Sequence, residues 1–232
     1  MREILIAGGI ETGLDPYWNN VSLLLPLSGD DGSKPLLDAT GKAITYHGSA
    51  QIVETPSKFG EGSLSALTAS DYLSFQGGSP FNFSNNDFTI ELQLYVSSSS
   101  TGSIQAIYED RVNAATDLVC ALTYTSNKLT MWMWIYGVHV TAVGSGLTVP
   151  PNTFNHLVWC RSGNTIRTFI NGEINQTSTY TGTAGGGPTV RLLGSTYSQP
   201  VNAYANDIRV TKGIARYISS FDPPTEPFPI NS

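Results

Sequence analysis

The residues best suited to holding a ligand stand in one stretch, Leu129 to Tyr136 (LTMWMWIY). In an extended chain successive side chains point to opposite sides, so Leu129, Met131, Met133 and Ile135 share one side. Trp132, Trp134 and Tyr136 share the other with Thr130. If the methionine side is the core, three aromatic rings line the outer side in a row. Such a row suits stacking on the apolar faces of sugars, or burial against a loop, an arm or a second subunit. Trp132, Trp134 and Tyr136 are therefore the candidate residues for a glycan site or a subunit interface.

Catalytic groups are harder to assemble. Retaining glycoside hydrolysis needs two carboxyl groups about 5 Å apart. Glu91-Leu92-Gln93 supplies one, and the next same-side position is Tyr95. Glu109 and Asp110 are adjacent and in a strand face opposite sides. His47, His139 and His156 are widely spread, with no Gly-x-Ser-x-Gly elbow near any of them. Gly185-Gly186-Gly187 lacks the Gly-Lys-Ser/Thr ending and following helix of a phosphate loop. The residues therefore predict no catalytic site, and a glycosidase is the remote alternative.

The formal charge of −6, with Lys and Arg scattered singly, argues against a nucleic-acid backbone or an anionic membrane as partner. Only 13% of the 232 residues are charged, and Gly, Ser, Thr and Asn are abundant, which suits short strands joined by turns. Cys120 and Cys160 do not make a disulfide framework, and Cys160, next to Trp159, reads as a buried thiol. The apolar stretch in MREILIAGGIETG is too short for a signal-peptide core, and no small-residue cleavage site follows it. No run approaches the roughly 18 apolar residues of a membrane span. These features predict a soluble protein made in a cytosol.

The elements that must position these residues read as strands. His156 to Glu173 (HLVWCRSGNTIRTFINGE) holds two alternating runs separated by Ser162-Gly163-Asn164, and Asn171-Gly172 closes the second. Asn-Gly is a strong hairpin signal because a type I′ turn needs positive φ at both central residues. Phe88 to Val96 alternates most clearly, with Phe88, Ile90, Leu92, Leu94 and Val96 on one side. Turn signals recur about every ten residues, as in a β-sandwich or jelly roll. The predicted organisation is an N-terminal arm over 1–19, a sandwich over 20–222 and a proline-rich tail over 223–232.

The order of motifs resembles the concanavalin A-like lectin/glucanase superfamily, in the laminin-G-like jelly-roll branch found in bacteriophage virion and tail proteins. The resemblance covers roughly residues 20 to 228. It rests on Leu23-Leu24-Leu25-Pro26-Leu27, Ser57-Lys58-Phe59-Gly60, Asp71-Tyr72-Leu73-Ser74, Asn86-Asp87-Phe88-Thr89-Ile90-Glu91, the hairpin above, and the closing segment Asn206 to Tyr217 (NDIRVTKGIARY). It implies an all-β, two-sheet antiparallel β-sandwich with extended arms, and no particular reaction. The glucanases of this superfamily carry two glutamates flanking an aspartate on one strand, a pattern missing here.

Some laminin-G-like domains bind calcium near the sheet rim, and Asp30, Asp31, Asp38, Asp71 and Asp207 are loop carboxylates here. None forms an Asp-x-Asp-x-Asp-Gly loop. Where the family closes with Ile-Asp-Glu-Val-Arg, this chain reads Ala205-Asn206-Asp207-Ile208-Arg209, an amide replacing the first carboxylate. No cofactor is expected, with calcium left open. The resemblance implies a non-enzymatic virion component, a capsid decoration or tail-associated protein that docks on other virion subunits or on its own copies. The alternative it leaves is a glycan-binding module for adsorption to the host surface.

Overall fold

The computed structural model describes residues 14–60, 62–113, 116–194 and 201–231, with the side chains of residues 112, 113, 116 and 117 excepted. A short 3-10 turn, Trp18–Asn20, leads into β1 (Val21–Leu25), β2 (Thr45–His47), β3 (Gln51–Val53), β4 (Ser63–Ala66) and β5 (Tyr72–Gln76). Then follow β6 (Asn82–Ser84), β7 (Phe88–Val96), β8 (Gln105–Asn113), β9 (Thr116–Thr125), β10 (Lys128–Ile135) and β11 (Val138–His139). The chain closes with β12 (Phe154–Ser162), β13 (Thr165–Ile170), β14 (Glu173–Thr179), β15 (Ala184–Gly185), β16 (Thr189–Leu192) and β17 (Ala203–Lys212).

Two antiparallel sheets take up nearly all of these strands. The eight-stranded sheet runs β14-β13-β12-β7-β17-β4-β3, with β1 also on β17. The seven-stranded sheet runs β11-β10-β9-β8-β16-β5-β2. The expected all-β two-sheet sandwich is what forms. β7 sits at the centre because its alternation holds in full: Phe88, Ile90, Leu92, Leu94 and Val96 all enter the core. Each such burial contributes about 1.5–3 kcal/mol before the ordering cost of the chain. Facing them are Leu118, Cys120 and Leu122 of β9 and Met131, Met133 and Ile135 of β10. Trp159 of β12 lies wholly inside, and its indole N–H donates across the core to the Trp132 carbonyl at 3.0 Å.

The hairpin read from Asn171-Gly172 joins β13 to β14, with φ of 50° and 82° at the two turn residues. Cys120 and Cys160 are both free and buried. Of the expected N-terminal arm, residues 1–13, including Ile4-Leu5-Ile6, lie outside the described residues. Asp15 is buried against the eight-stranded sheet. The proline-rich tail also folds back, burying Phe228 and pairing Asn231 with Asp15.

Candidate functional site

Pairing register lays one row of outward-facing positions straight across the seven-stranded sheet. It runs His139, Trp134, Val119, Glu109, Arg191, Ser74 and Thr45, one residue per strand from β11 to β2. Strands lie about 4.8 Å apart, so the row from Trp134 to Arg191 spans roughly 14 Å. Beside it Trp132, Ala121 and Ala106 form a second row. Ala106, Val119, Ala121 and Trp132 make an apolar patch on this outer side, joined at its margin by the half-buried Trp134.

The expected aromatic row is thus two-thirds present. Trp132 and Trp134 both face outward, and His139 packs against each, at 5.2 Å from Trp132 and edge-on at 4.5 Å from Trp134. Trp132 is only 4% exposed and serves as support, whereas Trp134 is half-buried and His139 exposed. Tyr136 does not join them, which corrects the expectation of a three-ring row. It sits past the end of β10 at φ 46°, where the strand turns. Its ring packs on the main core, and its hydroxyl donates to the Gly185 carbonyl at 3.0 Å.

Further along the row the face is charged. Glu109 lies 3.2 Å from Arg111 and 3.8 Å from Arg191, one oxygen toward each guanidinium. The Arg191 guanidinium lies over the Tyr72 ring, whose own stacking partner is His47 at 4.0 Å. His47 Nε2 and Ser74 Oγ share a hydrogen bond of 2.8 Å. Burial, with Arg191 nearby, lowers the His47 pKa below the usual imidazole range. Asp110, next to Glu109, faces the other way as its adjacency requires. It accepts the Gly186 and Gly187 N–H groups at 2.7 and 2.6 Å, while burial pushes its pKa up to about 7.

The outer side of the eight-stranded sheet is built differently. Glu91 is fully buried there, 2.8 Å from Arg209 and 3.1 Å from His156, and it accepts the Tyr217 hydroxyl at 2.8 Å. Burial alone would raise its pKa. Arg209, His156 and Arg216 outweigh that and hold it at about 2. Asp15 bridges Arg209 and Arg216 at 3.0 and 2.7 Å. Tyr217 and Phe221, stacked at 3.8 Å, lie over Val158, Cys160 and Phe169. Gly172 is required at this turn, because a Cβ there would strike the Phe221 carbonyl. Sequence reasoning missed this cover, although Tyr217, Phe221 and Phe228 are aromatic residues with no other use in an exit segment.

Three of the loop carboxylates are spent locally. Asp38 accepts the Leu24, Thr40 and Lys42 N–H groups, and Asp71 those of Ser49, Leu67 and Thr68. Asp207 accepts the Phe228 N–H at 2.7 Å. Among the described residues no three His, Cys, Asp or Glu side chains converge as a metal site.

The sequence profile of the Laminin_G_3 family, described as Concanavalin A-like lectin/glucanases superfamily, matches residues 67–213, more than half of the chain. No curated protein sequence matches it significantly. Among solved structures, domain 4 of AbnA, a GH43 extracellular arabinanase from Geobacillus stearothermophilus in complex with arabinotriose, superposes with a TM-score of 0.62 at 13% identity. That match covers 84% of this chain and 94% of the other. The binding domain of Paraclostridial Mosquitocidal Protein 1 follows at TM-score 0.60 and 12% identity, over 84% of this chain and 50% of that one. The ligand binding domain of Botulinum neurotoxin serotype D, in complex with N-acetylneuraminic acid, gives 0.55 and 12%, over 85% and 48%. The chain thus spans about half the length of either toxin binding domain.

Proposed function

We propose that this chain, which belongs to the concanavalin A-like lectin/glucanases superfamily, is a non-catalytic binding module that takes a glycan on the outer side of its seven-stranded sheet. One observation carries the reading. The Trp134–His139 corner, held from below by buried Trp132, stands in the same cross-strand row as Glu109 and Arg191. An indole face beside charged hydrogen-bonding groups is what a sugar ring needs, apolar on one side and hydroxyl-bearing at its rim. Two similar structures hold carbohydrates, arabinotriose and N-acetylneuraminic acid, which supports the reading. Binding is favoured over hydrolysis because a general acid must present a protonated carboxyl, whereas both Glu109 oxygens are turned toward guanidinium groups.

The test is a glycan array and host polysaccharide panel probed with the wild type and with Trp134→Ala. Binding by the wild type that the variant loses more than tenfold, with an unchanged circular dichroism spectrum, supports the site. A wild type that binds no glycan ends it.

A second reading, a capsid decoration or tail-associated component of a bacteriophage particle, rests on the sequence resemblance and on one structural feature. Asp15 and Asn231 are hydrogen-bonded to each other, so both ends of the described chain meet at one corner against the eight-stranded sheet. A domain held there presents the Trp134 side away from its support. Deleting residues 1–13 then leaves a folded sandwich that no longer joins particles, and undiminished incorporation refutes the reading.

A further inference from the structure

The turn that carries the Trp134–His139 corner is built against its own backbone preference. Trp134 and His139 are cross-strand partners, and Ile135 and Val138 close the hairpin around Tyr136-Gly137. Both turn residues have positive φ, 46° and 81°. Gly137 adopts such a backbone freely, whereas a bulky aromatic residue rarely does, and hairpin turns of this kind prefer Asn or Asp there. Tyr136 is kept in place by its side chain. Its ring packs on the main core, and its hydroxyl donates to the Gly185 carbonyl at 3.0 Å. Gly185 belongs to a short segment seated on Asp110, whose carboxyl accepts the Gly186 and Gly187 N–H groups at 2.7 and 2.6 Å. Glycine is required at this seat, because a Cβ on Gly185 or Gly187 would strike an Asp110 oxygen and nearby backbone. An unbroken chain of contacts thus runs from Asp110, on the inner side of β8, to the aromatic corner on the outer side of the same sheet.

Asp110 is 1% exposed, with Leu118 of β9 and Val190 of β16 as its cross-strand partners. The titratable groups on its side of the sheet are Tyr108 beside it and Cys120 on β9, both pushed well above their usual ranges by burial. Tyr136 and Tyr180 reach the glycine segment at the Gly185 and Thr183 carbonyls, and Arg161 donates to Gly182. Burial lifts the Asp110 pKa from 3.8 to about 7, against the two N–H bonds, which favour the carboxylate. A segment that lifts from Asp110 admits water and frees the carboxyl of that shift. The seated form is therefore favoured fully below pH 3.8 and loses this advantage as pH rises through 7. We propose that Asp110 and Tyr136 are positioning residues for the glycan corner: seated on a protonated Asp110, the Gly185–Gly187 segment holds Tyr136, and Tyr136 holds the turn that presents Trp134 and His139. The site is thereby regulated by pH from the opposite side of its sheet. That regulation rests on the glycan reading of the corner, whereas the coupling itself is a property of the free chain.

The full chain labelled with fluorotryptophan tests the coupling, the Trp134 resonance being assigned by its loss in Trp134→Phe. The expected result is a Trp134 signal that moves with pH, with a midpoint of about 7. Asp110→Asn removes the transition, and His139→Gln, which takes away the imidazole packed on Trp134, leaves it in place. Tyr136→Phe keeps the Asp110 bonds to Gly186 and Gly187 and lacks only the hydroxyl, so it abolishes the transition too. A carboxyl that served the fold alone would give no such dependence on Tyr136. A transition that persists in Asp110→Asn or in Tyr136→Phe, or that vanishes in His139→Gln, overturns the proposal, as does a Trp134 signal insensitive to pH. A glycan array read at about pH 5 and about pH 8 supplies the functional half: wild-type binding falls about threefold or more at the higher pH, and Asp110→Asn binding does not. Wild-type array binding that stays level between the two overturns the regulation of the site. A wild type that binds no glycan at either pH, while its Trp134 signal still follows Asp110, confirms the positioning and sinks only the glycan reading.

Discussion

The two sheets carry the same constellation on their outer sides and use it in opposite ways. Each places one glutamate between two arginines: Glu91 with Arg209 and Arg216, Glu109 with Arg111 and Arg191. The Arg209 and Arg216 side chains are 6% and 7% exposed, against 17% and 28% for Arg111 and Arg191. Over the first lies the aromatic tail, with Tyr217 bonded to Glu91 and Phe228 against Arg209 at 3.9 Å. Beside the second stand Trp134, half-buried, and His139, exposed. Both glutamates are buried, and the difference lies in the arginines, which are covered by the tail on one side and reach solvent on the other.

Mutation at the two glutamates sharpens that contrast most. Glu91→Ala leaves two buried guanidinium groups with Asp15 as their remaining carboxylate partner and is expected to cost about 3–5 kcal/mol in denaturant unfolding. Glu109→Gln, a buried group that keeps an amide oxygen toward arginines reaching solvent, is expected to cost about 1–2 kcal/mol. Equal losses break the comparison.

Acid separates the sides next. The Glu91 pKa is about 2 in the fold against 4.5 unperturbed, so its stabilisation is complete above about pH 4.5 and lost as pH falls toward 2. The loss amounts to about 3 kcal/mol. Asp110 runs the other way: raised from 3.8 to about 7, it favours the fold below pH 3.8 and loses that contribution as pH rises through 7. Stability measured from pH 2 to 8 should therefore rise and then decline, and Asp110→Asn should remove only the neutral-side decline. A monotonic rise in the wild type refutes the Asp110 assignment.

Smaller effects follow. Phe221→Ala removes a half-buried ring stacked on Tyr217 and should cost about 2 kcal/mol, read as a lowered unfolding midpoint. Trp134→Ala should change stability by less than about 1 kcal/mol while abolishing glycan binding. A larger stability loss at Trp134 than at Phe221 would place the structural cover on the wrong side.

Much of this was legible in advance at particular residues. The alternation of Phe88 to Val96 gave the central strand to the residue, because a two-residue period with uniformly large apolar side chains has one way to be buried. Asn171-Gly172 gave the turn, since few other pairs accept two positive φ values. Glu173–Thr179, by contrast, pairs as a strand although its polar sequence carries little periodic signal. At the candidate site the placing of Trp132 and Trp134 on one side of their strand followed from alternation. The departure of Tyr136 did not, because the strand ends one residue earlier.

The amino-acid sequence by itself determined the all-β class, the shared side of Phe88, Ile90, Leu92, Leu94 and Val96, and the placing of the two tryptophans opposite the methionines of their strand. Those are local properties, fixed by a two-residue period and the chemistry of each side chain. Only the tertiary structure decided that the Glu91 arginines lie under the tail while the Glu109 arginines reach solvent, that the tryptophan side is the outer one, and that Asp15 and Asn231 meet at one corner. These depend on which distant segment lies over a sheet. Residues more than a hundred positions apart supply that cover, and no local pattern announces it.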